Sequence, residues 1–169
     1  AEVYENGKIR SIGVSNFDSH QMTRAADRLG EPGLQLAANQ VEYSLLDRTP
    51  EKNGVLDACR SLNVSLIAYR PLAKGKLTSA AMSGSSYSAG DKQMRESDLA
   101  NKLMDLARSH GGHISQLALN WLIRRDDLVI PIPGATSVNH ALKNAGALDW
   151  NMSKAEFNEL EDASMYPIT

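Results

Sequence analysis

Four short apolar segments rich in β-branched residues divide the chain, and each is followed by a pattern typical of a helix. They cover residues 9–14, 36–41, 64–69 and 128–132. Strands that alternate with helices favour a parallel sheet, because parallel neighbours need a long crossover between them. No repeat and no linker interrupts the alternation. The sequence therefore predicts one α/β unit over residues 1–169.

Apolar periodicity and end signals predict the helices between and after these strands. We expect them over residues 19–29, 49–62, 97–109, 114–125 and about 137–144, with a last one from Ser153 onward. Gly30 is expected to stop the first, and Thr49 to cap the second ahead of Pro50. Ser153 opens a capping box. The small, polar stretch 79–90 predicts a long loop, which in compact domains is usually a lid or disordered.

Charge and composition favour small-molecule chemistry. Lys and Arg number 18 against 20 Asp and Glu, which gives no electrostatic reason to expect nucleic acid or an anionic membrane as partner. No apolar run approaches the roughly 20 residues of a membrane span. The acidic start is unlike a signal or transit peptide, so we expect a cytoplasmic protein. The single Cys59, in an apolar helical pattern, predicts a buried structural thiol.

The familiar phosphate-binding and metal-binding motifs are missing from the sequence. Neither G-x-G-x-x-G nor G-x-x-x-x-G-K-[ST] occurs. His110 and His113 flank two glycines, which favours a capped turn between helices over a metal site. Glu161 and its acidic neighbours near the C-terminus are expected to lie on a solvated helix face. We predict no bound metal.

Ser15 and Asn16 stand directly after the first strand. The carboxyl ends of parallel strands carry the chemistry of α/β proteins, so this pair is a candidate site. From the residues alone, capping of the next helix is the favoured alternative, because Ser and Asn are preferred at caps. A site-bearing strand so near the N-terminus, in a chain that starts with Ala1, predicts that earlier strands are missing. Four strands do not close a barrel, which takes about 250 residues, so an open sheet and half a barrel both remain possible.

Four segments resemble, in order, strands five to eight of the aldo-keto reductases. They are GKIRSIGVSNF at 7–17, NQVEYSLLDR at 39–48, AYRPLAKGKL at 68–77, and IPIPGA at 130–135 followed by NAGAL at 144–148. The resemblance implies a (β/α)8 TIM barrel that binds NADPH and reduces aldehydes or ketones to alcohols by hydride transfer. This chain would supply the C-terminal, cofactor-binding half of that single domain.

The resemblance also implies which residues hold the nicotinamide end of the cofactor. Ser15, Asn16 and Gln40 would hydrogen-bond its carboxamide, and Tyr69 would stack on its ring. Without the resemblance, Tyr69 is equally a core residue at a strand end. Arg70 stands where relatives frequently have serine or glycine, and its guanidinium would face either the cofactor phosphates or the substrate mouth.

The phosphate and adenosine end is implied by the last two segments. Leu72, Gly75 and Leu77 match a loop whose backbone approaches the pyrophosphate, with Lys74 and Lys76 either adding charge or simply solvated. The helix after the last strand would take the adenosine end through Gly134, Thr136, His140, Lys143 and Asn144. Thr136, His140 and Lys143 depart from the common residues, and Lys143 would restore the positive charge that favours NADPH. NADH remains the alternative cofactor.

The catalytic Asp, Tyr, Lys and His of the family belong to the first four strands, and no part of this chain matches their motifs. We therefore expect no catalytic residue here and no activity from this chain alone. The expected partners are a small carbonyl substrate and the missing N-terminal half. The alternative is a non-catalytic nucleotide-binding or regulatory half-barrel that assembles with a partner or with itself, since open strand edges invite association.

Overall fold

The computed structural model of the chain describes residues 2–79 and 98–165. Its strands form one parallel sheet in the order β1-β2-β3-β4: β1 (Ile12–Ser15), β2 (Leu36–Glu42), β3 (Ser65–Tyr69) and β4 (Val129–Pro131). The predicted parallel α/β architecture is confirmed. β1 begins three residues later than predicted, and the segment from residue 7 to 11 that precedes it is exposed.

The helices lie before, between and after the strands. They are α1 (Glu2–Glu5), α2 (Ser19–Gly30), α3 (Thr49–Lys52), α4 (Val55–Leu62), α5 (Asp98–Ser109), α6 (Ile114–Arg125), α7 (Val138–Ala145) and α8 (Lys154–Ser164), with a 3-10 turn at Ala73–Gly75. The loop predicted over 79–90 lies, apart from Ser79, outside the described residues, as does the predicted helix start at residue 97.

Two helix predictions are wrong, and a third differs from the structure by one residue. The helix expected over 49–62 is two helices, because Gly54 takes a left-handed backbone with φ +79° and turns the chain between α3 and α4. Thr49 does not cap α3. It is the first helical residue, and its amide donates to Asp47 Oδ1 at 3.1 Å. Gly30 is the last residue of α2, and the chain leaves the helix through Glu31.

The core lies between one face of the sheet and the helices. Leu66 and Ala68 of β3 are fully buried, as are Met22 of α2 and Trp121 of α6. Cys59 of α4 is also fully buried, and burial raises the pKa of its thiol to about 11. The predicted structural thiol is confirmed.

The other face of the sheet, which we call the open face, keeps its side chains half-exposed or exposed. Gln40, Ile67 and Ile130 stand in one register row across it, and Glu42 and Tyr69 in the next. Parallel sheets are ordinarily covered on both faces. In the described part of the chain only one face carries helices.

The outer edge of β4 is rich in proline. The Ile132 amide donates inward to the Ala68 carbonyl at 3.0 Å, so the amides of its two neighbours in the chain would point outward. Those neighbours are Pro131 and Pro133, which have no N–H. This edge offers carbonyl acceptors but lacks these two donors.

A half-buried ion cluster joins the segment after β2 to the ends of α6 and α8. Arg48 pairs with Glu51 at 2.6 Å and with Glu161 at 2.8 Å, and Arg125 pairs with Glu51 at 2.8 Å. The Tyr43 hydroxyl donates to Glu51 at 2.7 Å. Burial alone would raise the pKa of Glu51, but hydrogen bonds from these three partners hold it at about 2.

The ion cluster corrects the prediction for Glu161. Its carboxylate accepts from Arg48 and from the indole N–H of the buried Trp121, at 2.8 and 2.9 Å. Glu159 and Asp162 are exposed, as expected. The helix turn that carries Glu161 therefore has one inward-facing carboxylate and two solvated ones.

The histidines at 110 and 113 frame the turn between α5 and α6, as predicted. Gly111 at the turn has φ +63°. His110 Nε2 lies 2.7 Å from Glu156 Oε1, which ties the turn to the first turn of α8, where the predicted capping box of Ser153 is present. Among the described residues, no group of three or more His, Cys, Asp or Glu side chains is placed to hold a metal ion, and no helix is long and apolar enough to cross a membrane.

Candidate functional site

The carboxyl end of β1 is fixed to the backbone of β2. Ser15 Oγ and the Asn16 amide both donate to the Gln40 carbonyl, at 3.0 and 2.9 Å. Asn16 has φ +57°, which turns the chain out of the strand. The cap of α2 is Asp18, whose carboxylate accepts from the Gln21 amide at 2.8 Å. The alternative that Ser15 and Asn16 cap this helix is therefore wrong.

Gln40 keeps its side-chain amide available. The residue is half-buried on the open face and is the register partner of Ser15 on the neighbouring strand. Within residues 2–79 and 98–165, no protein group hydrogen-bonds its side chain. A primary amide has both donors and an acceptor. Ser15, Asn16 and Gln40 thus present complementary polar groups at one point of the sheet edge.

Tyr69 ends β3 beside this group. Its hydroxyl donates to Asn16 Oδ1 at 3.2 Å, and its ring is half-exposed on the open face. The core alternative for Tyr69 is therefore wrong. We call Ser15, Asn16, Gln40, Glu42 and Tyr69 the strand-end cluster.

Glu42 belongs to this cluster and was missed by the sequence analysis. It is the register partner of Tyr69 on the neighbouring strand. Its Oε2 accepts from Arg70 Nη1 at 2.8 Å, and the Arg70 guanidinium carbon lies 5.7 Å from the centroid of the Tyr69 ring. The sequence held a signal for Glu42, because adjacent parallel strands bring their carboxyl ends together. Its pairing with Arg70, however, can be predicted only when the register between the two strands is known.

The loop after β3 is tightly turned. Ala73, Lys74 and Gly75 all have positive φ, at +47°, +57° and +92°. The amides of Gly75 and Leu77 donate back to the Leu72 carbonyl at 2.9 and 3.2 Å. Leu77 is fully buried, so it anchors the loop. Left-handed non-glycine residues cost energy and persist where their surroundings fix them.

A cavity of about 670 Å³ lies between this loop and the start of α7. Of the residues that the resemblance assigns to the cofactor, seven line it: Arg70, Leu72, Gly75, Gly134, His140, Lys143 and Asn144. Leu77 and Thr136 do not, although Thr136 Oγ1 lies 3.1 Å from His140 Nδ1. The volume is within the range of about 300–1,000 Å³ usual for ligand sites. We call this the basic cavity.

Its charges favour an anion. Within the described part of the chain, no Asp or Glu lines this cavity, and neither Lys74 nor Lys143 has an ion-pair partner. Ser137 caps α7 by accepting from the His140 amide at 3.2 Å, and Asn144 holds the preceding loop through the Gly134 carbonyl at 3.3 Å. The start of a helix adds partial positive charge. Arg70 belongs to this cavity and also contacts the strand-end cluster, so the two sites adjoin.

A sequence profile of the Aldo/keto reductase family matches residues 1–164. The chain belongs to this family. It is 34% identical over 170 residues to a chloroplastic pyridoxal reductase of Arabidopsis thaliana, covering 96% of this chain and 46% of that protein. It is 33% identical over 172 residues to the NADP(+) aldo-keto reductase yakc of Schizosaccharomyces pombe, covering 94% and 49%. The chain thus spans about half the length of these curated relatives.

The solved structures include a matching barrel. A thermostable aldo-keto reductase, crystallised with the inhibitor epalrestat, is similar with a TM-score of 0.76 and 30% sequence identity. The match covers 96% of this chain and 51% of that one. The four-stranded sheet with its open face is therefore half of a TIM barrel, as the resemblance implied.

Proposed function

We propose that this chain supplies the cofactor-binding half of an NADPH-dependent oxidoreductase that reduces aldehydes or ketones to alcohols. The observation that carries the proposal is a cavity whose described lining residues include basic side chains and no acidic ones, adjoining a cluster of amide, hydroxyl and aromatic groups. This combination suits a dinucleotide, whose phosphates are anionic and whose nicotinamide is a flat amide.

In this proposal the strand-end cluster orients the nicotinamide. The free side-chain amide of Gln40, with Ser15 and Asn16, binds the carboxamide, and Tyr69 offers its ring for stacking. The hydrogen bond from Tyr69 to Asn16 fixes the angle between stacking surface and amide-binding groups. NADPH supplies the hydride when bound, and these residues determine which face of its ring is presented.

The basic cavity holds the phosphates. Leu72 and Gly75 bring backbone to its wall, and Lys74, His140 and Lys143 face it with basic side chains. A cationic Lys143, which belongs to the last turn of α7 and lines the cavity, favours the extra phosphate of NADPH over the bare ribose of NADH. Leu77 and Thr136 act indirectly, by anchoring the loop and by contacting His140.

We further propose that the chain alone does not catalyse the reaction. Tyr43 is buried and bonded to Glu51, and burial raises the pKa of its hydroxyl, which makes it a poor proton donor. Tyr69 donates its hydroxyl hydrogen to Asn16.

The carbonyl substrate and the groups that protonate it would come with the other half of the barrel. The open face favours such a partner, and it equally favours the second candidate, a non-catalytic half-barrel that self-associates. We retain the cytoplasm as the proposed compartment.

Titration of the purified protein with NADPH and NADH, followed by cofactor fluorescence, tests the proposal. We expect tighter binding of NADPH, and Lys143→Gln to weaken NADPH binding about tenfold while changing NADH binding little, as for the loss of one charged hydrogen bond. Lys52→Gln, an exposed lysine of α3, is the matched control.

Failure to bind either nucleotide would contradict the proposal, as would equal weakening of both by Lys143→Gln. Light scattering and an assay of carbonyl reduction separate the two candidates. Nucleotide-binding oligomers of this chain that reduce no carbonyl favour the regulatory half-barrel. Reduction that appears only with the other half of the barrel favours the enzyme.

A further inference from the structure

Glu42 and Arg70 form an ion pair beside the Tyr69 ring. Nη1 and Oε2 are 2.8 Å apart, and the side chains are 49% exposed for Arg70 and 29% for Glu42. The guanidinium carbon lies 5.7 Å from the centroid of the ring, so Arg70 covers part of one side of Tyr69. The pair stands at the carboxyl ends of β2 and β3, where Glu42 and Tyr69 are register partners.

The backbone directs Arg70 toward Glu42. Arg70 has φ +51°, a left-handed conformation that ends β3 and turns the side chain back across the sheet edge. Its carbonyl accepts from the Ala73 amide at 2.8 Å, which closes the turn. Arg70 also lines the basic cavity, but its charge is already matched by a carboxylate, whereas Lys74 and Lys143 have no carboxylate partner among residues 2–79 and 98–165.

The pair therefore controls the charge next to the stacking surface. A reduced nicotinamide ring is neutral, whereas an oxidised one carries a positive charge. An unbalanced carboxylate within about 8 Å of such a ring would favour the oxidised form about tenfold at an effective dielectric constant of about 30. An unbalanced guanidinium would favour the reduced form by a similar factor. With both present, the two effects nearly cancel.

We propose that Arg70 is a positioning residue that neutralises Glu42 and thereby sets the relative affinity of this site for reduced and oxidised nicotinamide cofactor. The inference rests on the proposed function, since it requires the nicotinamide ring at Tyr69. Arg70 then acts on the charge balance at the nicotinamide end and has no direct role in holding phosphate.

The test measures the dissociation constants of NADPH and NADP+ separately, by calorimetry, for the intact protein that carries this chain. Arg70→Gln should shift their ratio about tenfold toward NADP+, because Glu42 is left unbalanced. Glu42→Gln should shift it in the opposite direction. The double variant should return to within about twofold of the wild-type ratio, as expected for two charges that act on the same ring.

Arg28→Gln is the matched control, since Arg28 is also paired with a glutamate but lies exposed at the end of α2. It should leave the ratio unchanged. If Arg70→Gln weakens both forms equally, Arg70 is a phosphate ligand and the inference is wrong. If Arg70→Gln does not fold, Glu42→Gln decides, and an unchanged ratio there also overturns it. If wild-type protein binds neither form, the proposed function and the inference both fail. If it binds both forms and the variants leave the ratio unchanged, only the inference fails.

Discussion

Replacement of Glu51 by glutamine removes the central carboxylate of the ion cluster. Its side chain is 14% exposed and pairs with Arg48 and Arg125. The pKa of Glu51 is lowered from 4.5 to about 2. At 1.36 kcal/mol per unit, this corresponds to about 3 kcal/mol of folding free energy that depends on the ionised carboxylate. The same magnitude is typical when one partner of a buried ion pair is removed.

The sign of the pH dependence follows from the depressed pKa. The stabilisation is fully present above the unfolded-state pKa near 4.5, and it is lost as the pH falls from about 5 to about 2. Glu51→Gln should therefore lower the free energy of unfolding by about 3 kcal/mol at pH 7. It should also flatten the acid limb of the stability profile, because the variant has no carboxylate to protonate at this position.

Urea unfolding followed by circular dichroism at pH 7, 5, 4 and 3 measures both effects. Glu31→Gln is the control, since Glu31 pairs with Arg28 in solvent at 66% exposure and should contribute less than about 1 kcal/mol. If Glu51→Gln unfolds at the wild-type urea concentration, or shows the wild-type loss of stability between pH 5 and 3, the cluster does not stabilise the fold as argued.

Two further predictions concern the core and its rim. Gly112→Ala should lower stability by about 2 kcal/mol in thermal unfolding, because its methyl group would overlap the Trp150 ring. Gly30→Ala, with no atom near the new methyl group, should be neutral or slightly stabilising, and equal effects of the two changes would refute the overlap. Cys59 should resist thiol reagents at pH 8 in the folded protein and react once urea unfolds it. Rapid modification of the native state would show that the thiol is accessible.

The strands were predictable because each is a compact apolar run between helical patterns. The helix ends were harder to place. Gly54 divides one predicted helix into two, and the only local signal was the pair Asn53-Gly54, which competes with the continuous apolar face of Val55 and Leu56. Ser15 and Asn16 are residue types that are preferred at helix caps, but the residue that caps α2 is Asp18.

The interactions missed were those that join residues far apart in the sequence. Glu42 and Arg70 are 28 positions apart, and Arg48 and Glu161 are 113 apart. From its sequence neighbours alone, each of these residues would be predicted to be an ordinary solvent-exposed charge. Strand register brings the first pair together, and the packing of α8 brings the second. Periodicity predicts elements, but such pairings depend on how the elements meet.

The two prolines on the outer edge of β4 impose a direction on anything that joins the sheet there. Since Pro131 and Pro133 contribute carbonyls and no N–H groups, an incoming strand must supply both of those donors itself. Two copies of this edge cannot satisfy each other at these positions, because neither has a hydrogen to give. The outer edge of β4 is therefore selective. It can pair with a strand that has free amides, such as a complementary barrel strand, and it disfavours symmetric edge-to-edge aggregation of two copies of this edge.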